Sequence, residues 1–177
     1  MTELLDIVDA RGKVVGLAPR SECHGNPLLV HRAVHVLVFD QDGGLYLQKR
    51  SASKLIQPGK WDTSVGGHLE PGESYEAAAN RETLEELGFT PDHLVHLFSY
   101  EIRNNIESEN IESYRTVYAG RITLLPEEID DGKFWPNHEI EAALGKGVFT
   151  PSFETEYKIL ARSEDPVVKT HFSCSTR

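Results

Sequence analysis

Three carboxylates, Glu82, Glu85 and Glu86, crowd the end of the stretch GGHLEPGESYEAAANRETLEELGF, residues 66–89. The run from Ser74 to Leu87 has a helix-forming composition, and Gly88 is placed to close it as a C′ residue. At about 100° per residue, with Glu85 as origin, Glu82 falls near ~60° and Glu86 near ~100°, so all three share one arc. Ala78 and Ala79 bracket that arc, while Leu87, Leu84 and Ala77 form the opposite side, the face expected to pack on a sheet. Like charges at these spacings cost roughly 0.2–0.5 kcal/mol per pair. Carboxylates near a helix C-terminus oppose the macrodipole by roughly 0.3–1 kcal/mol each. Only Arg81 lies nearby in sequence to offset them. A solvated acidic face is the plain alternative. A divalent cation accounts for the clustering better, because it reverses the sign of both penalties, and hard oxygen ligands suit Mg²⁺ or Mn²⁺. The small alanines would let a metal-bound phosphate approach.

These side chains need a scaffold, and the chain supplies mixed elements. LLDIVDARGKVVGLAPR reads as two short strands around a turn at Ala10–Gly12. AVHVLVFDQDGGLYLQKR reads as a hairpin, with Val34, Val36 and Val38 alternating before the turn and Leu45 and Leu47 after it. Residues 51–72 are loop-rich, punctuated by Pro58–Gly59, Gly66–Gly67 and Pro71–Gly72. Strands are expected near 94–102 and 114–124, joined by the acidic stretch NNIESENIES. NHEIEAALGKG reads as a short helix, and TPSFETEYKILARS as another, with Thr150 as N-cap and Pro151 at N1. This order lacks βαβ regularity and predicts an α+β fold with a mixed sheet between helices. A single domain over residues 1–177 is expected, with 1–30 as an N-terminal extension.

The formal net charge of −10 argues against nucleic-acid or anionic-membrane partners, which reward clustered Lys and Arg. It is compatible with a small phosphorylated ligand if a metal supplies positive charge locally. The two cysteines, Cys23 and Cys174, are too few for a disulfide framework and lack zinc-type spacing. The acidic start resembles neither a signal nor a transit peptide, and no apolar run approaches the roughly 18 residues of a membrane span. A cytoplasmic protein is the expectation, and a homodimer is left open.

The pattern Gly67, five residues, Glu73, seven residues, Arg81-Glu82-Thr83-Leu84-Glu85-Glu86-Leu87-Gly88-Phe89 resembles the Nudix box, here residues 67–89. Thr83 stands where that family usually has an aliphatic residue. The resemblance implies an α/β/α sandwich and metal-dependent attack of water on a diphosphate linked to a moiety X. It implies Mg²⁺ or Mn²⁺ on Glu82, Glu85 and Glu86 with the Gly67 carbonyl, and a structural pair between Glu73 and Arg81. The general base would be one of these glutamates or one from another loop, with Glu107, Glu109 and Glu112 as candidates.

Most of the first 90 residues are also similar to the isopentenyl diphosphate isomerase-like branch. DARGKVVGLAPRSECH, HRAVHVLVFDQDGGLYLQKRS and GKWDTSVGGHLEPGES carry that likeness. It implies a metal on His24, His31 and His68, with Glu112 near the place of an acidic ligand, and diphosphate binding by Arg20, Arg50 and Lys54. Each also has a plain reading as an ordinary loop, strand or surface residue. Trp61 reads as lining the pocket or packing its loop, and His35 as structural. The isomerases carry a catalytic cysteine where this chain has Gly66, and their box lacks acids that this chain keeps at Glu82 and Glu85. A hydrolase of small nucleoside diphosphate-type or related compounds is therefore the leading expectation. An isopentenyl-diphosphate isomerase and a non-catalytic Nudix-fold binding module are the alternatives.

Overall fold

The computed structural model describes residues 3–124 and 129–173. Cys174 lies outside them. Nine strands among the described residues form one mixed sheet. β1 (Leu4–Val8) and β2 (Val14–Pro19) form the first hairpin, and the one-turn helix α1 (Arg20–Cys23) follows. β3 (Val30–Phe39) is the spine. It runs parallel to β8 (Ser108–Val117) along its whole length, and β8 in turn pairs with β7 (Val95–Arg103). The other pairings of β3 are antiparallel: with β1 at His31, with β6 (Val65–His68) at residues 33–36, and with β4 (Leu45–Arg50) at Phe39.

The hairpin expected over residues 33–50 therefore forms only at its turn. β3 and β4 pair at Phe39↔Leu45 and then part, because β6 takes the place beside β3. β4 goes on to pair with β5 (Trp61–Asp62) and β9 (Ile129–Trp135). The strands β5 and β6 lie inside the stretch read as loop, too short and glycine-rich to show a period of two.

Both faces of β3 are covered, as its nearly unbroken apolar run requires. Val34, Val36 and Val38 pack with the buried side of α2 (Tyr75–Leu87). Leu37 and Phe39 pack with Leu45, Leu47 and the helices α3 (Asn137–Ala143), α4 (Pro151–Leu160) and α5 (Pro166–Ser173). Each such fully buried side chain contributes about 1.5–3 kcal/mol. The two best-capped helices end where side-chain chemistry says they should. Ser74 Oγ accepts from the Ala77 N–H at 3.2 Å and Gly88 takes φ 75°, while Thr150 Oγ1 accepts from the Phe153 N–H at 3.1 Å with Pro151 at N1.

Two expectations about α2 are corrected. Of the three residues assigned to the sheet-facing side only Leu87 is buried; Ala77 is exposed and Leu84 is 52% exposed. The buried side consists of Ala78, Ala79, Thr83, Glu86 and Leu87. The alanines leave no room for phosphate, since both are wholly buried against Val34, Val36 and Val65. Their smallness lets helix and sheet approach closely. Thr83 is also fully buried, and its hydroxyl is satisfied by donating to the Ala79 carbonyl at 2.6 Å.

Candidate active site and metal centre

The site is organised around two adjacent glycines on β6. Successive Cβ positions on a strand point to opposite faces, and here each direction is filled by a side chain from elsewhere. A Cβ on Gly66 would come within 3.2 Å of His35 Cδ2, and one on Gly67 within 2.1 Å of the Glu82 carboxyl carbon. A cavity of about 730 Å³ opens there and is lined from both sides.

On the Gly67 side stand the carboxylates of α2. Glu86 is 6% exposed; its Oε2 accepts from Gln48 Nε2 at 3.0 Å and from the Gly66 N–H at 3.4 Å. Glu82 is mostly covered, and burial pushes its pKa up although Arg81 pulls the other way. Glu85, with its side chain 54% exposed, sits at the rim. Arg81 is the hub. It donates from Nε and Nη2 to the two oxygens of Glu73 at 3.0 and 2.9 Å, and from Nη2 to the His68 carbonyl at 3.0 Å. Its Nη1 reaches Glu82 at 2.8 Å and Glu85 at 3.3 Å. The glutamates are thus less bare than their spacing along the helix suggests. One guanidinium still faces Glu73, Glu82 and Glu85 together, and the net charge at the cavity stays negative.

On the Gly66 side stand the three histidines. The ligand nitrogens of His24, His31 and His68, from the end of α1, β3 and β6, lie within 4.8 Å of one another. Glu109 closes the cluster, 3.1 Å from His68 Nε2 and 3.4 Å from His31 Nε2, and Glu107 lies 3.6 Å from His24 Nε2. The acidic partner expected at Glu112 is elsewhere. Its carboxylate accepts from Ser99 Oγ at 2.6 Å and meets His96 at the surface. Residues 107 and 109 share a strand face and 112 does not, by the period of two. The start of β8 at Ser108, six residues earlier than expected from residue 114, brings the two acids in. Glu3 also reaches the cluster, 3.4 Å from His68 Nδ1, with no signal in the sequence to mark it.

The donors suit a cation. His24 Nε2 and His31 Nε2 are buried and make no hydrogen bond among the described residues. Burial, then the charges of His68 and Arg20, push His24 down to about 4, which keeps its imidazole neutral as a ligand must be. Burial also opposes charge on His68, but hydrogen bonds to Glu109 and Glu3 outweigh it and lift that ring to about 9. Glu109 is held far below the ordinary carboxylate range: burial works against this, and the close approach of His31 and His68 prevails. Burial and the nearby Glu109 raise Glu107.

Arg20, Arg50 and Lys54 all line the same cavity. Arg20 pairs with Glu3 at 2.9 Å, and Arg50 with Asp62 at 3.1 Å and the Ile56 carbonyl at 3.1 Å. Trp61 is not among the lining residues; its ring packs edge-on against Trp135 at 5.1 Å. Cys23 is fully buried with Leu5, Ile7 and Ala18 and does not line the cavity.

A mixed sheet between helices, with a glycine turn feeding a glutamate-rich helix pinned by an Arg–Glu pair, defines a domain class, and comparison with known proteins agrees. Residues 29–153 match the NUDIX domain profile, and the chain belongs to the Nudix family. It is 36% identical to an uncharacterized Nudix hydrolase of Streptomyces coelicolor, over 88% of this chain and 86% of that one. It is 34% identical to an isopentenyl-diphosphate Delta-isomerase of Streptomyces avermitilis, over 86% of this chain and 80% of that one. A protein of Deinococcus radiodurans with a known crystal structure superposes with a TM-score of 0.76 at 27% identity, covering 89% of this chain and 98% of that one. No helix among the described residues is long and apolar enough to cross a membrane.

Proposed function

We propose that this protein is a metal-dependent hydrolase of small diphosphate compounds, of the nucleoside diphosphate type or related to it. The carrying observation is the meeting of Glu82, Glu85 and Glu86 with the side-chain-free Gly67 at one cavity. Glu82, Glu85 and Glu86, with the Gly67 carbonyl, would hold Mg²⁺ or Mn²⁺, which when bound offsets diphosphate charge and lowers the pKa of a coordinated water. Glu73, through Arg81, fixes the helix against the glycine turn. Arg20, Arg50 and Lys54 supply cations to the phosphate oxygens. In the hydrolytic step one P–O bond to water forms and one bridging P–O bond breaks. A cavity glutamate takes the water's proton, and the two fragments leave as X-phosphate and phosphate from a terminal diphosphate, or as two phosphomonoesters where both ends are substituted.

His24, His31 and His68, with Glu107 and Glu109, would hold a second ion, for which their converging nitrogens, those of His24 and His31 without a hydrogen bond among the described residues, are fitted. That cluster also favours a second reading, isopentenyl-diphosphate isomerase, in keeping with the names of several relatives. Gly66 speaks against it, because no thiol among the described residues faces the cavity. A panel of nucleoside diphosphates, diphosphate sugars and isopentenyl diphosphate, incubated with Mg²⁺ or Mn²⁺, decides. Metal-dependent formation of phosphate or of phosphomonoesters supports hydrolysis. Conversion of isopentenyl diphosphate to its dimethylallyl isomer without phosphate release would replace it with isomerisation.

A further inference from the structure

We propose that His35 is a specificity-determining residue of this site, and that its unpaired imidazole edge at Gly66 selects a group X able to hydrogen-bond, such as a sugar or base, over a hydrocarbon. This rests on the hydrolase reading above and names the substrate class within it.

His35 occupies the middle of β3, opposite Gly66 in the register. Val34 and Val36 on either side of it enter the core beneath α2, so the ring faces the other way. Its Nδ1 side is fixed: Glu156 Oε1 lies 3.1 Å away and the Tyr100 hydroxyl 3.0 Å. Glu156 is 0% exposed and is itself held by Ser113 Oγ at 2.6 Å. A buried carboxylate against Nδ1 keeps a proton on that nitrogen and sets the ring's orientation. The Nε2 edge is thereby directed at the cavity. It makes no hydrogen bond to any described residue, although His35 is only 8% exposed. Its distance of 3.3 Å from the place of a Gly66 Cβ shows what a substrate on that face would meet. Burial opposes charge on the ring and Glu156 favours it, raising its pKa, and Nε2 can hydrogen-bond in either protonation state. A substrate with a hydroxyl, amide or ring nitrogen there satisfies Nε2. An alkyl chain would leave it desolvated and unpaired, which is the stronger basis for rejection.

The test compares kcat/KM for the best nucleoside diphosphate or diphosphate sugar of the panel with that for isopentenyl diphosphate, each by the appearance of its monophosphate product with Mn²⁺. The wild type should favour the polar compound. His35→Leu should lower kcat/KM for that compound about 10–100-fold, as expected when a buried polar group of the substrate loses its partner, and change the value for isopentenyl diphosphate little. The double variant His35→Leu/Glu156→Leu removes the buried carboxylate together with its partner, and it should show the same selective loss. It decides the matter if His35→Leu does not fold. An unchanged preference in a folded variant, or a wild type that prefers the alkyl compound, overturns this inference and leaves hydrolysis standing. Failure of the wild type to cleave the diphosphate of any compound overturns both.

Discussion

Gly66 and Gly67 are neighbours in sequence, yet the two walls they face are built on different principles. The Gly67 wall comes from one helix, with Glu82, Glu85 and Glu86 in local register and Arg81 beside them. The Gly66 wall is assembled from distant pieces: His24 after α1, His31 and His35 on β3, His68 on β6, Glu107 and Glu109 at the start of β8, Glu156 on α4. A locally encoded wall is hard to dismantle by changes elsewhere and offers oxygen ligands. A wall assembled over long range can be buried more deeply, and it offers imidazoles whose protonation the surrounding carboxylates set. One cavity therefore carries two chemically distinct sets of donors.

The sharpest way to break this division is Glu85→Gln. Glu85 is exposed at the rim, so the fold should survive while kcat/KM falls about 100-fold or more; unchanged turnover in a folded variant would sink the assignment. Gly67→Ala should cost nearly as much, because its methyl displaces the Glu82 carboxylate. Circular dichroism should stay native, since the end of a flexible side chain is what must move. His24→Ala probes the other wall: it should abolish one class of Mn²⁺ binding in calorimetry and leave a second class, the one lost in Glu85→Gln. A single class abolished by both changes would merge the walls into one site. Arg81→Leu should lower stability by about 1–3 kcal/mol in urea unfolding, since it leaves the partly buried Glu73 and Glu82 unpaired.

The smallest expected effect concerns pH. Burial alone would depress His35, but Glu156 raises it from its ordinary 6.5 to about 9. A raised folded-state pKa stabilises fully below the unfolded value and is lost as pH climbs through the folded one. Glu156, held below its ordinary value against burial mainly by the charge of His35, contributes above about 4.5. The pair should therefore stabilise most between about 4.5 and 6.5 and weaken toward 9. Melting curves of the wild type and the double variant His35→Leu/Glu156→Leu should converge at the alkaline end; a constant gap would mean the pair's charge plays no part.

The amino-acid sequence by itself determined the helix of the carboxylates, its Ser74 and Gly88 ends, the Thr150–Pro151 start of α4 and the three histidines, because caps, breakers and motif spacing act within a few residues. It misplaced the buried side of α2, since Leu84 looks like core and Glu86 does not; the cavity at the open side of β6 is what lets a carboxylate turn inward. It left Glu107, Glu109 and Glu112 open as general bases, set Glu112 near the place of an acidic metal ligand, and gave His35 no partner. Those choices belong to the tertiary structure. The parallel register of β3 with β8 decides which acids face the histidines, and the buried Glu156, more than a hundred positions away in the chain, decides which edge of His35 meets the cavity. Polar groups buried through long-range pairing break the hydrophobic pattern by which a strand is recognised, so their partners become visible only once the chain is folded.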